Sequence, residues 1–165
     1  MDLSKPLVEI QGLTKVYNGS KLAVNQMNLI IPRGRIIGLL GPNGSGKTTL
    51  IKMINGLLTP TGGKVLINGV PPGPASKAVI SYLPERTYLP PGMKVKDIIS
   101  FFAQFYQDFS IERAYNMLEI LAIPPAAQLK TLSKGTKEKI QLILVMSRQA
   151  QLYILDEPIA GVDPA

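Results

Sequence analysis

The sequence predicts an α/β protein with a mixed sheet core, an antiparallel β region at its N-terminus and a helical lobe farther along the chain. Near the start, LVEIQGLTKVY and LAVNQMNLIIP are partly alternating segments on either side of the turn residues NGS, the pattern of a β-hairpin. The wholly apolar run RIIGLL then passes through a glycine-rich stretch into apolar residues at helical spacing, an order of strand, loop and helix. From Val95 onward the apolar positions adopt the helical period, which marks the lobe.

The hairpin covers residues 7–32, and RIIGLL, ending at Gly41, is expected to be a central strand buried on both faces,. Leu50, Met53, Ile54 and Leu57 form one helix face, and NGLLTPTGG supplies the residues that end that helix,. KVLINGV and AVISYLP read as two short strands, while PPGPAS between them is expected to exclude regular structure,. Val95, Ile98, Ile99, Phe102 and Phe105 predict one lobe helix, and Ala114, Met117, Leu118 and Leu121 a second, with YQDFS between them,. A third runs from Ser133 to about Gln149, and QLYILDEP is an apolar strand stopped by Pro158,.

Composition narrows the function. With 165 residues, 45% of them hydrophobic and 18% charged, the chain can bury one sizeable core,. No apolar run approaches the ~18 residues of a membrane span, and MDLSKPLVEI lacks the features of a signal peptide,; a cytosolic protein is expected. The absence of cysteine and histidine excludes disulfides, thiolate metal sites and imidazole chemistry, leaving carboxylates, lysine and hydroxyls,. The net charge of +7 is spread along the chain without a basic run, so no nucleic-acid partner is expected.

Gly41-x4-Gly46-Lys47-Thr48 satisfies the pattern of a phosphate-binding loop, or Walker A,. A triphosphate needs several N–H donors converging on it, and residues without side-chain obstruction let the backbone wrap that closely. The helix starting near Lys47 directs its dipole at the anion, Lys47 reaches the β/γ-phosphates, and the Thr48 hydroxyl binds Mg²⁺. In LYILDEP the pair Asp156-Glu157 leaves a strand at its carboxyl end, where open parallel sheets bind ligands. Asp156 would hold Mg²⁺, and Glu157 would orient or deprotonate the attacking water. In LSKGTKEKI, Ser133 reads as a helix N-cap. Lys134 and Lys137 beside it put positive charge where the helix dipole disfavours it, a penalty that a docked anion would reverse.

Together these motifs resemble the ATP-binding subunit of ABC transporters. GPNGSGKTT corresponds to Walker A, LSKGT to the signature usually written LSGGQ, LYILDEP to Walker B and AGVDP to the D-loop, in matching order from about Leu7 to the last residue. The resemblance implies a P-loop NTPase of ABC type over residues 1–165, with a helical subdomain at about 86–150 that includes the signature helix. It implies that Gly41, Pro42, Asn43, Gly44, Ser45, Gly46, Lys47, Thr48 and Thr49 hold ATP, with Tyr17 stacked on the adenine. Mg²⁺ would lie among Thr48, Glu85 of the Q-loop stretch YLPE, and Asp156, with Glu157 as the catalytic residue. Ser133 and Gly135 would contact the γ-phosphate of ATP held by a second nucleotide-binding subunit in a head-to-tail dimer, homomeric or heteromeric. That dimer would energise a transmembrane permease subunit, most like those of exporters, from the cytoplasmic face of the membrane.

Three departures qualify the carry-over. Lys134 and Thr136 replace the Gly and Gln of the common signature, and Glu85 replaces the Q-loop glutamine. The family's switch histidine has no counterpart, since the sequence runs nine residues past Asp156 and contains no histidine. A C-terminally truncated subunit is therefore expected, an ATPase by family but inactive as this chain alone, with a hydrolysis-incompetent ATP-binding fragment or remnant as the alternative. A DNA-associated ABC ATPase fits poorly, because the 86 positions from Lys47 to Ser133 leave no room for its long coiled coils.

Overall fold

The computed structural model of the protein describes residues 5–86 and 88–157. The chain divides into two compact units, Met1–Ile80 and Ser81–Ala165.

The first unit is built on an antiparallel sheet in the order β2-β1-β3, where β1 is Val8–Tyr17, β2 Lys21–Ile31 and β3 Gly62–Ile67. The hairpin expected around NGS is present. Its register is broken by bulges between Ile10 and Leu13 and between Leu13 and Lys15, which bend the strand pair and strengthen its twist. Gly63 lies opposite the first bulge at φ 74°, and a Cβ there would come within 2.3 Å of the Gly12 carbonyl oxygen. A glycine is therefore required at that crossing. Val8, Ile10, Leu13, Val65 and Ile67 are buried on the sheet, as are Leu50, Ile51, Met53 and Ile54 of helix α1, Lys47–Ile54.

RIIGLL departs from expectation. Residues 35–40 adopt no regular structure and are exposed, Ile36 at 102% and Leu40 at 92%. A strand needs a neighbour to satisfy its N–H and C=O groups, and among the described residues none pairs with this segment. β1 is occupied on both edges by β2 and β3. The apolar composition was read correctly, and the missing ladder decides the conformation.

PPGPAS also differs, because its second half opens a short helix, α2, Pro74–Val79. Pro74 takes the first helical position, where a missing N–H costs nothing and the fixed φ suits the helix. Gly73 N–H donates to Ser76 Oγ at 2.8 Å, which secures the start of the turn.

The second unit contains the helical lobe. Strand β4, Ile80–Leu83, lies in a two-stranded parallel sheet with β5, Leu152–Leu155. Helices α3, Val95–Phe105, α4, Ile111–Ile120, and α5, Lys134–Met146, enclose Val95, Ile98, Ile99, Phe102, Ala114, Leu118, Leu129, Ile140, Ile143 and Leu144. The sequence stripes identify that core, except that Phe105 and Leu121 at the helix ends stay exposed. Ser110 caps α4 by accepting from Arg113 N–H at 3.2 Å.

The segment between α3 and α4 is tied to the end of α5. Buried Arg148 forms a two-pronged pair with Asp108, Nε to Oδ1 at 3.0 Å and Nη2 to Oδ2 at 3.1 Å, and its guanidinium lies 3.9 Å from the Tyr106 ring centroid. Gln149 N–H donates to Asp108 O at 2.9 Å, and Ser110 N–H to Ser147 O at 2.7 Å.

Candidate functional site: a phosphate loop and a carboxylate cluster

In the first unit the loop Gly41–Gly46 runs directly into α1. Gly44 has φ 82° and Gly46, the N-cap residue, φ 93°, a left-handed conformation that L side chains rarely adopt. A Cβ on Gly46 would also lie 2.3 Å from the Ala23 carbonyl oxygen of β2, so sterics and backbone both demand glycine. Ser45 N–H donates to Pro42 O at 3.2 Å, closing the turn across Asn43 and Gly44. Gly46 has no side chain to cap α1, and no acidic residue sits in the first turn. The helix N-terminus therefore keeps its positive end for an anion.

The Lys47 ammonium donates to Gly41 O at 2.7 Å and Pro42 O at 3.0 Å. Those bonds fold the side chain back onto the start of the loop. Tyr17, at the end of β1, has its hydroxyl 3.4 Å from Thr49 Oγ1. One face of its ring is approached by Lys15 Nζ, 5.4 Å from the centroid, which also donates to Thr59 O at 2.9 Å. Tyr17, the glycine-rich loop, Lys47, Thr48 and Thr49 are thus gathered in one unit.

The second unit gathers carboxylates. Asp156 follows β5, is 5% exposed, and donates its N–H to Leu83 O of β4 at 2.9 Å. Glu85 follows β4. Burial first, then the negative charges of Asp156 and Glu85, hold the Tyr82 phenol above its ordinary value of 10.0, because each disfavours a phenolate. Glu85 and Asp156 therefore act on one tyrosine at the carboxyl ends of neighbouring strands. The sequence reading passed over Tyr82 although YLPE contains it; a polar residue three positions before Glu85 on a half-buried strand was the available signal. Glu157 is exposed and has φ 50°, an unusual backbone for a non-glycine residue.

Ser133 caps α5: its Oγ accepts from Thr136 N–H at 3.1 Å and lies 2.8 Å from Thr136 Oγ1. Gly135, in the first turn, has open space where a Cβ would project. Lys134 pairs with Glu138 at 3.7 Å. The stretch AGVDP and Pro158 lie outside the described residues.

The family model described as ABC transporter matches residues 24–160. The chain belongs to the ABC transporter family. It is 38% identical, over 95% of its length and 68% of the relative's, to the SkfA peptide export ATP-binding protein SkfE of Bacillus subtilis. An ABC transporter ATP-binding protein of the same organism, YhaQ, is 37% identical over 96% of this chain and 54% of its own. Among solved structures, an ATP-binding subunit of an ABC transporter superposes with a TM-score of 0.86 at 29% identity, covering 96% of this chain and 69% of that one. ABC relatives named for export and for import both match. The chain spans between about half and two thirds of the length of these curated ABC relatives. Among the described residues no helix is long and apolar enough to cross a membrane.

Proposed function

We propose that this chain is the ATP-binding part of an ABC transporter and grips Mg·ATP through residues 41–49, with Tyr17 against the adenine. The observation that carries the reading is the loop ending at Gly46, where a forced left-handed glycine leads into an uncapped helix and Lys47 lies folded over the turn. Phosphate oxygens would replace the Gly41 and Pro42 carbonyls as partners of Lys47, at a point where the helix dipole already favours negative charge.

The donors assigned to Mg²⁺, the Thr48 hydroxyl and the Glu85 and Asp156 carboxylates, are all hard oxygens. That suits a small cation which keeps several waters and takes one or two carboxylates plus substrate phosphates. When bound, Mg²⁺ would neutralise charge on the β- and γ-phosphates. Glu157 would take a proton from the attacking water. Ser133 and Gly135 would face the γ-phosphate of ATP on a second nucleotide-binding subunit, homomeric or heteromeric, and the dimer would drive a transmembrane permease partner from the cytoplasmic face. The name of SkfE supports an exporter. In domain terms, residues 1–165 would be one nucleotide-binding domain whose helical subdomain covers about 86–150.

Thermal melting with Mg·ATP tests the binding step. At a hundred times the dissociation constant, ligand adds about 2.7 kcal/mol, roughly 5–10 °C for a chain of this size. Lys47→Ala is expected to abolish the shift, and an undiminished shift would overturn the assignment. In a version extended to the length of its ABC relatives, Glu157→Gln tests the hydrolytic step: the shift persists while phosphate release disappears. A variant that hydrolyses ATP at the parent rate rules Glu157 out as the base.

A further inference from the structure

Lys15 has no place in any of the motifs, yet its charged end lies on the ring of Tyr17. We infer that Lys15 is a positioning residue for the nucleotide base: its ammonium closes one face of the Tyr17 ring and holds the ring so that the opposite face receives the adenine. This rests on the reading of Tyr17 as the adenine platform and adds a residue that the motifs do not contain.

Lys15 and Tyr17 stand two positions apart on β1, so their side chains leave the same face of the strand. Lys15 Nζ lies 5.4 Å from the ring centroid, within the ~6 Å reach of a cation–π attraction. The ammonium is anchored there, because it donates to Thr59 O at 2.9 Å. The stretch that carries Thr59 is in turn fastened to β1: Thr61 N–H donates to Thr14 O at 2.8 Å, and Val16 N–H donates to Thr61 Oγ1 at 3.1 Å. The far edge of the ring is located by its hydroxyl, 3.4 Å from Thr49 Oγ1 of α1, next to the residues assigned to phosphate. A base stacks on a whole ring face, and with Lys15 on one face the half-buried Tyr17 offers it the other. Without the cation, a tyrosine at a strand end is freer to change rotamer. The fraction of molecules ready for the base then falls, and apparent affinity falls in proportion. At an exposed site, a cation–π contact accounts for a preference of about two- to fivefold.

A lysine that only fastens Thr59 to β1, or only attracts phosphate, predicts a different result from one that prepares the ring for a base. The protein is titrated with a non-hydrolysable ATP analogue and, separately, with inorganic tripolyphosphate, both with Mg²⁺; the second ligand carries phosphates and no base. Lys15→Met keeps an unbranched side chain and removes the cation. The expected result is analogue binding weaker by about two- to fivefold, with tripolyphosphate binding and ligand-free melting unchanged. Lys15→Arg should bind the analogue as the parent does, because a guanidinium also lies over aromatic rings. In a Tyr17→Leu background, Lys15→Met should have no further effect on analogue binding, since the two act as one platform. Unaltered analogue binding in Lys15→Met overturns the inference, and so does tighter binding, which would mean that Lys15 competes with the base for the ring. An equal loss for both ligands also overturns it, and marks a general charge effect or, with a lower melting temperature, a structural lysine. Failure of the underlying readings looks different. If Tyr17→Leu alone leaves analogue binding unchanged, the adenine reading falls; if the parent protein binds neither ligand, the phosphate-loop reading falls; the Lys15 inference falls with either.

Discussion

Gly46 shows how much a single backbone position can decide. It has φ 93°, and the Cβ of an alanine there would stand 2.3 Å from the Ala23 carbonyl oxygen, so substitution incurs both a conformational and a steric penalty. Gly44, also left-handed at φ 82°, faces open space and incurs the first alone, about 1–2 kcal/mol. Gly46→Ala should therefore lower unfolding stability by more than Gly44→Ala in urea titrations, and should also erase the nucleotide-dependent rise in melting temperature. Equal losses for the two variants would show that β2 yields to the added methyl. The loop was legible in the sequence because its chemistry is local: six glycine, lysine and hydroxyl positions in a row, 44–49, state their purpose. The approach of Ala23 was not legible, since it comes from a strand more than twenty residues earlier.

Among the elements, the helices were the most legible and the isolated strand the least. Helix α3 is specified by its own spacing of Val95, Ile98, Ile99 and Phe102, all of which are buried. A strand is specified by its neighbour, and RIIGLL has none among the described residues, so its apolar pattern could not by itself guarantee β structure. Proline misled the reading at α2 because one residue type both breaks helices and starts them. The tie between Asp108 and Arg148 was also beyond sequence reach, as the partners are forty positions apart. That tie holds the α3–α4 connection to the end of α5. Removing one partner of a fully buried pair costs about 3–5 kcal/mol. Arg148 is buried but the Asp108 side chain is 27% exposed, so water offsets part of the loss. Asp108→Ala should destabilise the protein by about 1–3 kcal/mol in denaturant titrations. A change below about 0.5 kcal/mol would show that Arg148 is held by Tyr106 and its backbone contacts instead.

At the scale of the whole molecule, each unit carries part of the ATP machinery proposed above, the phosphate loop in one and the carboxylates with the Ser133 cap in the other. Family membership ties those parts to a common purpose, and the sequence motifs identified the family correctly. What they could not convey is how the 165-residue chain treats residues 35–40. Ile36, Ile37, Leu39 and Leu40 are presented to water along an irregular stretch that has no ladder partner among the described residues. A six-residue run with four exposed apolar side chains, two of them β-branched, a single charge and no proline makes an adhesive segment, able to stack with the same segment of other copies. The chain should accordingly show concentration-dependent light scattering and bind a dye that reports cross-β order. Ile37→Lys, which plants a charge in the middle of the segment, should delay that onset without altering the melting of the helical lobe. If scattering is unaffected by the lysine, the stickiness resides elsewhere, and the segment is a harmless apolar loop.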